Sequence, residues 1–269
     1  MAIITISRGS FSRGKEIAEN VASKLGYKII AREILLEASK EFNIPSIKLI
    51  RAVHDAPSIL DKYTYGKEKY IAYIQSEILE HFLDDNVVYH GLAGHFFVKD
   101  IAHVLKVRII ADMEDRVKLE MEREGISRNE ALHNIKKDDL ERGKWSQHLY
   151  GIDTMDPHLY DLVIHIHKLA TNEAVDIICS AARLDRFQKT AESESKLKDL
   201  YLAAKVKANL ISLKPDVEVT ARDGVVHVKT RAPMSEVEQL ETDIKSLTEC
   251  IEGVKEIKVD IRPKSSMGI

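Results

Sequence analysis

Short apolar runs separated by longer amphipathic stretches organise the first 180 residues. Ile3 to Ser7 is a β-branched run met at once by glycine and polar residues, which predicts a buried strand ending in a loop. Ile17, Ala18, Val21, Ala22 and Leu25 then recur at helical spacing, and Gly26 closes the helix. Further strands are predicted at Tyr27 to Ile30, Asn86 to Tyr89, Val107 to Ala111 and Leu162 to Ile166. Further helices are predicted at 31–42, 46–60, 67–83, 114–124 and 172–182. Ser127, with Glu130 three residues on, forms a capping box for another helix. Strand and helix alternate, so the expected class is α/β, a mostly parallel sheet flanked by helices. Such sheets hold ligands at the carboxyl ends of their strands, which directs attention to the loops after Ser7, Tyr89 and Ala111.

Beyond residue 182 the pattern changes. Residues 183–197 are dense in charge and poor in apolar side chains, as in a linker or a solvated helix. Residues 198–262 then read as helix, strand, strand, helix, strand. Their first two strands are joined by Arg222-Asp223-Gly224, a strong hairpin signal. The expected organisation is therefore a first domain at 1–182, a charged linker at 183–197 and a small α+β domain of αββαβ order at 198–262.

Charge narrows the chemistry. The 269 residues carry 40 Lys and Arg against 43 Asp and Glu, a formal net charge of −3. With no global positive field, nucleic acid is not an expected partner, and phosphate recognition must come from a local constellation. Cys179 and Cys250 match no metal-ligand spacing, so no disulfide framework is expected. The Met-Ala-Ile-Ile-Thr-Ile start lacks the features of a secretory signal, and a cytoplasmic location is expected.

That constellation stands after the first strand. Gly9-Ser10-Phe11-Ser12-Arg13-Gly14-Lys15-Glu16 places two glycines five positions apart, the second followed by lysine, which is the phosphate-loop pattern up to its last position. Backbone N–H groups of such a loop turn inward on a polyphosphate, the following helix presents its positive dipole end, and Lys15 adds a point charge. Glu16 replaces the Ser or Thr whose hydroxyl ordinarily reaches Mg²⁺. Arg8 and Arg13 flank the loop.

A second constellation lies in residues 113–150, read as a lid. Lys136, Asp139 and Arg142 recur every three residues and share a helix face. Two cations with a carboxylate between them suit a clamp on a migrating phosphoryl group, because phosphoryl transfer is catalysed chiefly by positioning and charge neutralisation. Arg116 and Arg123, seven apart on the preceding helix, could join it.

Taken with Met121 to Ser127, Ile135 to Arg142 and Asp161 to Ile164, the stretch Ile4 to Ala18 resembles the start of the cytidylate kinase-like family, a branch of the nucleoside monophosphate kinases. The resemblance covers about residues 1–182. It implies a phosphate-loop kinase fold, ATP and Mg²⁺ as donor, and a small phosphate-bearing acceptor. It also implies Lys15, Lys136, Asp139 and Arg142 as catalytic residues, and Gly9 to Glu16 with Arg116 and Arg123 around the nucleotide. A basic residue followed by Glu is common in that family at the positions of Lys15 and Glu16. The C-terminal stretch resembles a BON domain in its Asp-Gly hairpin and its Gly253-Val254 to Ile257 ending, which implies a docking or regulatory module with a protein or membrane partner.

The chain departs from the family pattern after the third strand. Where Gly-Arg-Gly is usual, it reads His90-Gly91-Leu92-Ala93-Gly94-His95, and the acceptor-side arginine is missing. His90 and His95 are the substitutes at hand. Two other leads stay open: Asp112 as a metal ligand at the end of the fourth strand, and His165-Ile166-His167, whose spacing sets two imidazoles on one strand face without an identifiable third ligand. Trp145 and Tyr150 are read as packing residues.

Overall fold

The computed structural model describes residues 2–31, 66–91 and 94–263. The helices expected at 31–42, apart from Ala31, and at 46–60, and Leu92 with Ala93, lie outside the described residues. The rest falls into two compact units, one drawn from Met1–Ile59 and Asp84–Ser193, the other from Leu60–Leu83 and Glu194–Ile269.

The first unit is built on five parallel strands, β1 (Ile3–Arg8), β2 (Lys28–Ile30), β3 (Val87–His90), β4 (Val104–Ala111) and β5 (Leu162–Ile166), in the order β2-β3-β1-β4-β5. Strand alternation sends Ile4 and Ile6 to one face with Val88, Leu105, Val107 and Ile109. Helix α1 (Gly14–Leu25) lays Ile17, Ala18, Val21 and Ala22 on that face beside Ala174, Val175 and Ile178 of the helix Thr171–Ala182. Burying each such branched side chain contributes about 1.5–3 kcal/mol. With β1 in the centre, the chain leaves its carboxyl end where β3 lies on one side and β4 on the other, the position at which open α/β sheets bind ligands.

Strand β4 begins at Val104, three residues earlier than the apolar run predicts. Lys106 and Arg108 interrupt the hydrophobic string without breaking the strand, because they point away from Val107 and Ile109. Helix α4 (Met113–Glu124) follows it, and α5 (Arg128–Tyr150) opens on the expected capping box, Ser127 accepting from the Glu130 amide and Glu130 accepting from the Ser127 amide at 2.9 Å.

The second unit contains α2 (Gly66–Phe82), most of α7 (Ala191–Leu210), β6 (Glu218–Arg222), β7 (Val225–Ala232), α8 (Val237–Thr248) and β8 (Glu256–Pro263). Its sheet has the order β6-β7-β8, antiparallel then parallel. The hairpin turns on Asp223 and Gly224, at φ 53° and 86°, the paired positive values of a primed turn. From α7 onward the αββαβ order agrees with the sequence reading. The charge-rich stretch contributes a short turn at Asp185–Phe187 and the first turns of α7, which starts at Ala191. Both cysteines are free thiols, and no helix among the described residues is long and apolar enough to cross a membrane.

Candidate active site

The loop after β1 is pinned before any ligand arrives. The Gly9 amide donates to the Ile109 carbonyl at 3.2 Å, and the Ser12 hydroxyl, fully buried, lies within hydrogen-bonding distance of the carbonyls of Gly9 (2.9 Å) and Ile109 (3.2 Å). Left-handed backbone falls on Phe11 (φ 57°) and Arg13 (φ 60°), not on the loop's glycines. Gly14 is required for a different reason: a Cβ there would stand 2.7 Å from Cβ of Arg8, so the helix start and the strand end pack too closely for any side chain. Glu16 is turned aside onto Arg13 at 3.3 Å, and Lys15 reaches Glu19 at 3.6 Å with its side chain in solvent.

One loop amide already holds an oxyanion. The Ser10 N–H donates to Asp139 Oδ1 at 3.2 Å, across 129 residues of sequence. Arg116, buried at the start of α4, donates from Nε to the Ser10 carbonyl and from a terminal nitrogen to Asp139 Oδ2, both at 2.6 Å. Asp139 thus serves the loop and Arg116, a role that helix spacing alone did not suggest. The Arg123 guanidinium lies 4.6 Å from the Phe11 ring centre, and Phe11 packs against the small core made by Val117, Ala131 and Ile135 of α4 and α5. Arg142 is half-buried and Lys136 exposed, both on α5. The loop, Arg116, Arg123 and Asp139 are therefore assembled; Lys15 and Lys136 stand at the periphery.

The segment after β3 is organised by packing. Side chains at Gly91 and Gly94 would run into the ring of Tyr89, whose hydroxyl pKa is pushed up by burial. His95 is 5% exposed, its ring 4.9 Å from that of Tyr160. Burial, with the nearby Arg108 and Lys106 charges, pulls its pKa down to about 3, so it is neutral at pH 7 and cannot replace a phosphate-binding cation. Because the unfolded chain takes up that proton near pH 6.5 and the native chain does not, stability falls as pH drops from about 6.5 toward 3, by roughly 1.4 kcal/mol per pH unit. His95→Phe is expected to flatten melting temperature against pH between about 6.5 and 4; an unchanged slope refutes this. Trp145 is buried with its ring 5.5 Å from Tyr150, a packing role as expected.

Sequence reasoning missed Arg108. Its side chain, 5% exposed, contacts only neutral groups: Ser7 Oγ and Tyr160 OH at 3.3 Å, and Met155 Sδ at 2.9 Å. Among the described residues no carboxylate pairs with it. The available signal was an arginine inside the apolar run Val107–Ala111, paired in register with Ser7.

Five parallel strands, a glycine loop at the end of the central one and a charged helical pair folded over that loop define a phosphate-loop kinase fold. A family model described as the cytidylate kinase-like family matches residues 3–168, and the chain belongs to that family. It is 29% identical over 186 residues to a cytidylate kinase of Staphylothermus marinus, covering 66% of this chain and 94% of that one. It is 30% identical over 164 residues to a cytidylate kinase of Thermococcus kodakarensis, covering 61% and 78%. Among solved structures, an uncharacterized protein from Eubacterium ventriosum matches 68% of this chain and 98% of its own at a TM-score of 0.53 and 22% identity, a likeness of fold.

Proposed function

We propose that this chain transfers the γ-phosphoryl group of ATP to a small phosphate-bearing acceptor, a nucleoside monophosphate with CMP first among the candidates. The observation that carries the reading is the oxyanion at the Ser10 amide: the loop presents a main-chain donor and a neighbouring guanidinium to an anion, and Asp139 occupies that place in the free protein. A polyphosphate brings more charge than one carboxylate and displaces it. The amides from Ser10 to Lys15 then cradle the β-phosphate, and Lys15 leaves Glu19 to face the donor. Arg116, released from Asp139, and Arg142 close on the transferred group. An acceptor phosphate oxygen attacks phosphorus in line, the bond to the β-phosphate oxygen breaks, and ADP leaves.

ATP enters as its Mg²⁺ complex, the ion lowering the charge of the polyphosphate. Position 16 offers it no hydroxyl, and the Glu16 carboxylate is held by Arg13. The buried Ser10 hydroxyl, which lacks a hydrogen-bond partner, is the loop oxygen available instead.

Arg108 supplies the acceptor side with the positive charge that the segment after β3 lacks. A buried guanidinium among neutral partners is costly alone and is relieved by an incoming anion. Arg108→Met is expected to raise the melting temperature by a few degrees and the acceptor KM at least tenfold, with the KM for ATP little changed. An unaltered acceptor KM removes Arg108 from the site.

Residues 198–262 of the second unit, with their αββαβ order, are read as a BON-like docking module in the cytoplasm. The deciding experiment is a coupled assay with ATP and each common nucleoside monophosphate. Transfer to a pyrimidine monophosphate supports the kinase. ATP binding without transfer to any of them supports a nucleotide sensor, the second reading, which the self-occupied loop also favours.

A further inference from the structure

The two metal leads left open in the sequence converge. β5 is the edge strand beside β4, and the parallel register carries His165 and His167 to the start of α4, where Asp112 and Asp115 stand. His167 Nδ1 lies 3.1 Å from Asp112 Oδ2 and 3.2 Å from Asp115 Oδ2, and one ligand atom from each of these three residues lies within 4.8 Å of the others. His165 Nε2 meets the other oxygen of Asp112 at 3.0 Å.

We propose that Asp112, Asp115 and His167 form a site for one divalent transition cation of the zinc class, with His165 as the group that orients Asp112. Zinc bonds of about 2.0–2.2 Å, at angles between tetrahedral and octahedral, set ligand atoms about 2.8–3.6 Å apart, and both His167 distances fall in that interval. The imidazole ligand disfavours Mg²⁺ and Ca²⁺, which take oxygen. Asp112 gives the independent argument. It is the N-cap of α4, yet its side chain makes no capping hydrogen bond and is turned onto the histidines instead. An aspartate at that position ordinarily stabilises its helix by accepting from the first-turn amides. All four side chains are about half exposed, where ion pairs return little stability. Two carboxylates and two imidazoles drawn together at the expense of a cap are accounted for by a cation between them. A side chain donating to the far oxygen of a ligating carboxylate is the usual outer support of such a site, and solvent supplies the remaining ligands.

The site shares the start of α4 with Arg116, and its test does not depend on turnover. Full-length, tag-free protein freed of metal with chelator is titrated with zinc chloride by calorimetry. One ion per chain is expected, with a Kd in the low micromolar range and a melting temperature raised by several degrees. His167→Ala, a half-exposed change that spares the fold, is expected to weaken binding at least 100-fold, and Asp115→Asn to weaken it clearly. His165→Ala is expected to weaken it about 10–100-fold. Absence of zinc binding, or binding unaltered in both His167→Ala and Asp115→Asn, overturns the proposal and leaves the four groups as surface ion pairs. Displacement of zinc by an equal concentration of Mg²⁺ overturns the assignment to the zinc class.

Discussion

Lys15→Ala is expected to lower phosphoryl transfer about a thousandfold while moving the melting temperature by about 1 °C or less. The two halves of this expectation come from different observations. The side chain is 65% exposed and its one ion pair, with Glu19 at 3.6 Å, is a surface i, i+4 contact worth about 0.3–0.5 kcal/mol. The folded chain therefore has little to lose. The reaction has much to lose, because the charge that develops on the transferred group must be neutralised by preorganised cations, and removing one such group typically costs 10²–10³ in rate. Steady-state kinetics with calorimetry on the same preparation checks both. A rate within threefold of the parent rejects the phosphate-loop mechanism.

Arg116→Met carries the second large effect, and here stability and activity fall together. The guanidinium is buried, bridging the Ser10 carbonyl and Asp139 at 2.6 Å each, so its loss strands a carboxylate beside a loop amide and leaves a carbonyl without its donor. Unpairing groups of this kind costs on the order of 2–3 kcal/mol. Methionine keeps most of the volume, which confines the damage to the polar contacts. Activity is expected to fall at least 100-fold. A variant as stable and as active as the parent would show that the bridge is incidental. The pair of variants separates a group that acts only when substrate is present from one that also holds the empty site together.

Much of the site was legible where it is local. Gly9 and Gly14 mark the loop because a strand, a glycine loop and a helix follow one another within 25 residues. Ser127 and Glu130 cap their helix from three positions apart, and Asp223-Gly224 names its own turn. What the sequence hides is what the parallel sheet assembles from afar. Asp139 meets Ser10 across 129 residues, and no local periodicity reports which carboxylate of a charged helix folds back. His167 meets Asp112 across a strand pairing that joins segments some fifty residues apart. Arg108 was obscured for the opposite reason: an isolated charge in an apolar run reads as noise until its neighbours are known to be neutral. The glycines after β3 direct attention to a ligand loop, and the structure adds a packing reason for them, the ring of Tyr89 against Gly91 and Gly94.

Phe11 has a kinetic consequence. Its ring belongs to the phosphate loop by sequence and to the core of the helical pair α4 and α5 by packing, while Arg123 covers its outer face. On the proposed function, separation of that aromatic contact would be a unimolecular step preceding nucleotide entry, with a frequency that the protein itself sets. Observed association rates should climb with ATP concentration and then level off at a ceiling independent of it.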